Sequence, residues 1–310
     1  MKLKNYLPVV GVLIFLYILL KLNVSNVLKE ILNANILFLI VAVFFVFISL
    51  FTETLKWFFI AKTQTTNVPF SKAFKINMVS NFYGFITPSR VGGAMRAEYL
   101  KEYNGNLGKG LSNYVLDKVL DLCALVFLSI MFSYVFKDLL PTNLLYYAIS
   151  AFILLCCLLF VFINKERSRS ILKVFYKKIL PKKIKEKAKN GFYSFYEDMP
   201  KKRYFILFFA LNILNWIVLY TISYFIGISL GINISFIYFL AIMPLATLVA
   251  QIPITISGLG TREAALISLF GLFGISSTKV FSMSLVSLFL AGIIPAIIGS
   301  ILIFKINKNG

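Results

Sequence analysis

The sequence predicts an all-α polytopic membrane protein, one integral domain over residues 1–310, and three observations predict it. Of 310 residues, 59% are hydrophobic and 14% charged, with mean hydropathy +0.86, a balance suited to lipid and foreign to a water-soluble globule. Apolar runs recur along the whole chain at the length of about 20 residues that one crossing requires. No segment shows the roughly ten-residue alternation of a β-barrel strand.

The first run, Tyr6–Leu22, follows Lys2 and Lys4 as a signal peptide would. It exits through Leu19-Leu20-Lys21-Leu22-Asn23 without a small-x-small cleavage site, so a retained helix is expected. Ile36–Phe51 is the second crossing. Just beyond it, Glu53, Lys56 and Trp57 read as an interfacial group, the lysine snorkelling to water and the indole resting among headgroups.

Segment 69–103 fits a simple crossing badly. A moderately apolar run ends at Phe85-Ile86-Thr87-Pro88-Ser89 and continues as Arg90-Val91-Gly92-Gly93-Ala94-Met95-Arg96-Ala97-Glu98. Val115–Val135 and Leu144–Ile163 are the next two crossings and complete a first half, 1–163. Residues 164–203 then turn polar, with fourteen Lys or Arg against four acidic residues. The second half, 204–310, opens with the crossing Tyr204–Leu230. Its segment 236–273 repeats the anomaly: the apolar run Ile234–Ile254 gives way to Ser257-Gly258-Leu259-Gly260-Thr261-Arg262-Glu263. Val280–Ile306 is the last crossing.

The basic stretch 164–203 is cytoplasmic under the positive-inside rule, and Lys2, Lys4, Lys305 and Lys308 place both termini on the same side of the cell membrane. The loops left outside, Asn23–Asn35, Lys137–Asn143 and Gly231–Asn233, are short and carry few basic residues. An even number of crossings follows. Six full crossings plus two re-entrant hairpins, 69–103 and 236–273, satisfy it; eight simple crossings with Pro-Gly kinks are the alternative. Lys62, Lys72, Lys75, Lys101 and Lys109 crowd the first hairpin, which is therefore expected to enter from the cytoplasm and the second from outside. The two halves then form an inverted repeat with broken helices meeting near the midplane.

Each break supplies backbone for binding. Ser89 and Ser257 read as helix N-caps, and Pro88, Gly92, Pro253, Gly258 and Gly260 mark bare backbone whose N–H groups can face an anion. Arg90, Arg96, Arg262 and Glu263 beside these breaks are candidate headgroup ligands, since a guanidinium fork donates two parallel hydrogen bonds to a phosphate. The alternative for Arg262 and Glu263 is a pair that pins the hairpin. Asp117 and Asp121 lie four apart on one helix face with Lys118 between them, and a carboxylate near mid-bilayer costs roughly 2.5–3.5 kcal/mol. They should face the bundle interior as coupling charges, with Arg96, Lys118 and Arg262 as candidate partners. An interfacial ion pair is the alternative for Asp117 and Lys118.

Other classes are weakened. The net charge of +20 sits in loops beside apolar helices, which fits topology and anionic lipid better than nucleic acid. Cys123, Cys156 and Cys157 lie within apolar helices, expected as small core residues, and with no histidine in the chain no metal or other cofactor is expected. Gly227 and Gly231 make a weak small-xxx-small match at a helix end. No phosphate-binding Gly-rich Lys loop suggests nucleotide hydrolysis.

Three stretches together resemble the flippase-like family that includes the transmembrane region of lysylphosphatidylglycerol synthases. They are Thr87 to Arg96, Asp117-Lys118-Val119-Leu120-Asp121, and Pro253 to Ala265. Pro88, Arg90, Gly92 and Arg96 fit the family's first motif, with Gly93 where an acid is usual. Asp117 and Lys118 replace a Glu-Arg pair conservatively and Asp121 matches. Gly258-Leu259-Gly260-Thr261-Arg262-Glu263 is the most specific match. The resemblance implies a domain that moves polar-headed lipids, fused in some relatives to an aminoacyl-transfer or glycosyltransferase domain that is expected to be absent here.

The leading expectation is a flippase or translocator of a polar-headed phospholipid or lipid-linked precursor. A membrane enzyme using Asp117, Asp121 or Glu263 as acid or base on a lipid carrier is one alternative. A membrane anchor is another, its basic loop and the amphipathic stretch Ile171–Tyr176 recruiting a cytoplasmic synthase, a glycosyltransferase or anionic lipid. Membrane lipids are the expected partners, and a homo-oligomer is left open.

Overall fold

The computed structural model describes residues 7–87, 90–135, 142–170, 182–252, 255 and 258–308, and every regular element among them is helical. In order they are α1 (Leu7–Leu22), α2 (Val24–Leu32), α3 (Ile36–Thr63), α4 (Phe70–Phe85), a 3-10 turn (Val91–Met95), α5 (Arg96–Asn104), α6 (Leu107–Val135), α7 (Thr142–Phe162), α8 (Lys182–Tyr196), α9 (Tyr204–Ser229), α10 (Phe236–Gln251), α11 (Thr261–Gly271), α12 (Ser277–Leu288), a π-helical turn (Phe289–Ile293) and α13 (Ile294–Lys308).

The chain is thus a polytopic α-helical membrane protein. Among the described residues three helices are both long and apolar enough to cross, Ile36–Thr63, Tyr204–Ser229 and Ser277–Ile303; the bent pair Gly11–Leu22 and Val24–Leu32 makes a fourth if taken as one span. By length alone α6 and α7, with 29 and 21 residues, also suffice. The first half of α6 falls short in apolarity because it carries Lys109, Asp117, Lys118 and Asp121. Apolar side chains on the outer faces, among them Leu20, Ile36, Phe44, Phe47 and Ile206, are exposed as lipid-facing positions must be.

Two expected boundaries move. Asn23–Asn35 is no loop: it holds α2, bent 79° from α1. Asn23, at a positive φ of 64°, accepts the Ser25 N–H at 3.1 Å, and Asn35 accepts the Leu37 N–H at 3.0 Å, so each asparagine caps a new helix. Likewise α3 runs past Phe51 to Thr63, because Glu53, Lys56 and Trp57 find partners inside the bundle and the helix has no reason to stop at the interface. Cys123 is buried as expected, whereas Cys156 and Cys157 lie exposed on α7 and contribute nothing to the core.

The two broken segments share one plan. In each half a long helix (28 and 26 residues) precedes a 16-residue helix, a break, a short helix (9 and 11) and a second long helix (29 and 27). A 16-residue helix is about 24 Å long, short of a hydrocarbon core of about 30 Å, so α4 and α10 do not cross unaided. Counted from the first residue of α4 and of α10, Arg96 and Arg262 occupy the same place.

Close backbone contact fixes the hairpins. Helix α3 packs along α9, and α13 lies along α4. Gly299 of α13 sits where a Cβ would overlap the Met78 carbonyl. At the second break Gly260 has φ 82° and lies against the Gly11 carbonyl of α1, a place no side chain fits. Between them the core packs Met78, Leu125, Tyr220, Phe239, Phe270 and Met283. Such contact is what holds membrane helices together, because lipid offers no hydrophobic drive between them.

Part of the basic loop 164–203 is tied to the start of α6. Lys109 Nζ lies 2.6 Å from Asp198 Oδ2, which also accepts the Thr65 hydroxyl at 2.9 Å, and Gly108 lets α8 approach at Ser194. The hydrogen bond from Lys109 holds the Asp198 carboxyl below its ordinary range. The stretch Ile171–Tyr176 lies outside the described residues.

Candidate functional site

Two carboxylates one turn apart on α6 organise the centre of the bundle. Asp117 and Asp121 are 3% and 5% exposed, so both require counter-ions. Lys56 of α3 supplies one, its Nζ 2.7 Å from Asp121 Oδ1 and 3.4 Å from Asp117 Oδ1, and it also donates to Asn212 Oδ1 at 3.1 Å. Arg96, the first residue of α5, supplies the other at 3.0 Å from Asp117 Oδ2. Its guanidinium centre lies 4.8 Å from the Trp57 ring and 5.4 Å from that of Tyr114. Lys118 stands 3.9 Å from Asp121 Oδ2 with over a third of its side chain exposed.

Lys56 overturns the snorkelling expectation. It is 4% exposed and Trp57 is fully buried, neither at an interface. The signal was present: two acids on a buried face need two cations, Arg96 meets one, and Lys56 is the lysine set among the apolar residues of α3. Trp57 is held by donating Nε1–H to Asn77 Oδ1 at 3.0 Å. That bond turns the Asn77 amide nitrogen toward Glu53 Oε2, at 3.1 Å, where Asn81 also donates at 2.8 Å.

The first break is built by Thr87, whose hydroxyl donates to the Tyr83 carbonyl at 2.9 Å and accepts the Gly92 N–H at 2.7 Å. Arg90 follows with φ 56°, and its carbonyl accepts the Tyr114 hydroxyl at 3.2 Å. Pro88, Ser89, Pro253 and Ser257 lie outside the described residues. At the second break Glu263 acts as a cap: Oε2 accepts the Gly260 N–H at 2.6 Å and Oε1 accepts the Ser284 hydroxyl at 2.7 Å. Both carboxylate oxygens are occupied, and the residue is buried.

One cavity between the two hairpins gathers most of these groups. Arg90, Arg96, Asp117, Lys118, Asp121 and Arg262 line it, joined by Glu53 and Lys56. Gly92, Gly258, Gly260 and Glu263 are not among its lining. Five cationic side chains thus face three carboxylates. Lys56 and Arg96 are matched to the two aspartates, and Lys118 leans on Asp121. Among the described residues neither Arg90 nor Arg262 has an ion pair. Arg262 does not reach Asp117 or Asp121, which Lys56 and Arg96 take, and the neighbouring Glu263 is spent on the cap. Ser287, also lining the cavity, leaves its hydroxyl without a partner.

The family described as "Lysylphosphatidylglycerol synthase TM region" matches residues 8–299. A UPF0104 membrane protein of Pyrococcus horikoshii is 27% identical, with 98% of each chain covered. Two UPF0104 membrane proteins of Methanocaldococcus jannaschii are 25% and 24% identical, over 98% and 74% of this chain and 95% of each of theirs.

Proposed function

Because the chain belongs to the family of lysylphosphatidylglycerol synthase transmembrane regions, we propose that it moves a phosphate-bearing lipid or lipid-linked precursor between leaflets, its headgroup held by Arg90 and Arg262. The observation that carries this reading is the pair of guanidiniums that have no carboxylate partner among the described residues, in a cavity bounded by both hairpins. Arg262 is part-buried and Arg90 exposed at the cavity, so both forks are open to an anion, and a phosphate matches the guanidinium fork. The acyl chains stay in lipid while the headgroup travels among protein groups.

The Lys56–Asp121 and Arg96–Asp117 pairs serve as the frame. They join α3, α5 and α6 and set two cations against two carboxylates at the centre of the bundle. Access alternates between the cytoplasm, where both termini and the basic loop lie, and the outer side. Translocation is preferred over chemistry because the carboxylates that the sequence offered as acid or base, Asp117, Asp121 and Glu263, are each committed to a partner.

The test is sidedness without a new product. Proteoliposomes carrying an acyl-labelled phosphatidylglycerol are sampled for label exposure and, by mass spectrometry, for lipid mass. The proposal expects exposure to change at constant mass in wild type and to stop in the Arg90→Ala, Arg262→Ala double variant. A new lipid mass, or unaltered transfer by the double variant, would overturn it.

A further inference from the structure

Glu53 is the carboxylate of the cavity that the frame leaves over. It lies half-buried on α3 and lines the same cavity as Arg90 and Arg262. Among the described residues no lysine or arginine comes within ion-pair distance of it. Lys56, one turn on, directs its ammonium to Asp121 and Asn212 instead. Both donors that reach Glu53, the Asn77 and Asn81 amides, fall on Oε2, and the Trp57 indole fixes the Asn77 amide in that sense. Oε1 has no donor. A carboxylate held by neutral donors on one oxygen, with the other left for the cavity, is prepared for a cation that the protein does not itself provide.

We propose that Glu53 determines headgroup specificity by accepting a cationic group of the same ligand whose phosphate is held at Arg90 and Arg262. The ligand class is then a phospholipid headgroup with an ammonium beside its phosphate. This rests on the reading of the cavity as a headgroup site. The arrangement also separates its charges: guanidiniums come from the two breaks, the carboxylate from the middle of α3. An ammonium on Glu53 gains a charge-assisted bond that a glycerol hydroxyl does not match, enough for about a tenfold preference.

Two soluble headgroups test this on detergent-purified protein by calorimetry, independently of any transfer: glycerophosphoethanolamine and glycerophosphoglycerol. Wild type should bind the first about tenfold more tightly. Glu53→Gln keeps the shape and the Asn contacts and should bring the two affinities together by weakening the first alone. Unchanged affinity for glycerophosphoglycerol in that variant reports an intact fold. Equal binding of both by wild type, or a preference that survives Glu53→Gln, overturns the proposal and leaves Glu53 as a bridge between α3 and α4. Absence of binding by either compound overturns it together with the headgroup site. Preferential binding without transfer in vesicles leaves the specificity role standing and removes translocation alone.

Discussion

Lys56 Nζ lies 2.7 Å from Asp121 Oδ1, joining α3 to α6 through two side chains that are both almost fully buried. The same ammonium is 3.4 Å from Asp117, which Arg96 also contacts, so four charges form one connected group. Losing a single member leaves its neighbours buried and unmatched.

Lys56→Met is therefore expected to destabilise the fold by about 3–5 kcal/mol, the scale for breaking a buried pair from one side. Adding Asp121→Asn should recover part of that loss, because the orphaned carboxylate goes too. Thermal unfolding in detergent measures both; a double variant no better than the single would show that Lys56 acts through packing instead.

Arg96 and Arg262 should part company although they occupy matching places in the two halves. Arg96→Ala strips Asp117 of a partner and uncovers the Trp57 ring, so stability and transfer fall together. Arg262→Ala removes a guanidinium with no carboxylate to abandon, and the melting temperature should change little while transfer is lost. Parallel unfolding and transfer assays decide it, and equal destabilisation by both would count against the unmatched Arg262.

Glu263→Ala is expected to cost about 1–3 kcal/mol, since the Gly260 N–H and Ser284 hydroxyl each lose an acceptor. Transfer per folded molecule should persist. A variant of normal stability with no transfer would return Glu263 to the headgroup.

At the edge of the bundle, acid should loosen the basic loop. The folded carboxyl of Asp198 titrates below its unfolded value, so its contribution is complete above about pH 4–5 and disappears as pH falls through the folded value. Pepsin cleavage of loop 164–203 should accelerate over that interval in wild type. Asp198→Asn should show the faster cleavage already at its upper end, and identical profiles for the two proteins would remove the Lys109–Asp198 tie from the account.

Class, helices and the two broken segments were legible because each rests on a local signal: apolar length, or a glycine-rich interruption beside arginines. Asp117 and Asp121 were legible as buried charges from spacing alone. Their partner Lys56 was misread, because snorkelling is judged from one helix while the choice between water and a carboxylate is made by α6, far along the chain. Glu263 looked like a ligand for the same reason: its cap on Gly260 is local, but Ser284 arrives from α12. Asn23–Asn35 was read as an outer loop because the run between them is only weakly apolar; burial of Val27 and the bond its carbonyl accepts from the Ser282 hydroxyl help to hold α2 there.

The central claim, that a headgroup crosses through this cavity, is tested most directly by dithionite reduction of an acyl-labelled phospholipid in proteoliposomes. The account predicts that reduction in wild-type vesicles passes well beyond the outer-leaflet share, about half, and that Arg262→Ala vesicles stop at it. Reduction halting at the outer leaflet in wild type, across phosphate headgroups with and without an ammonium, would contradict it.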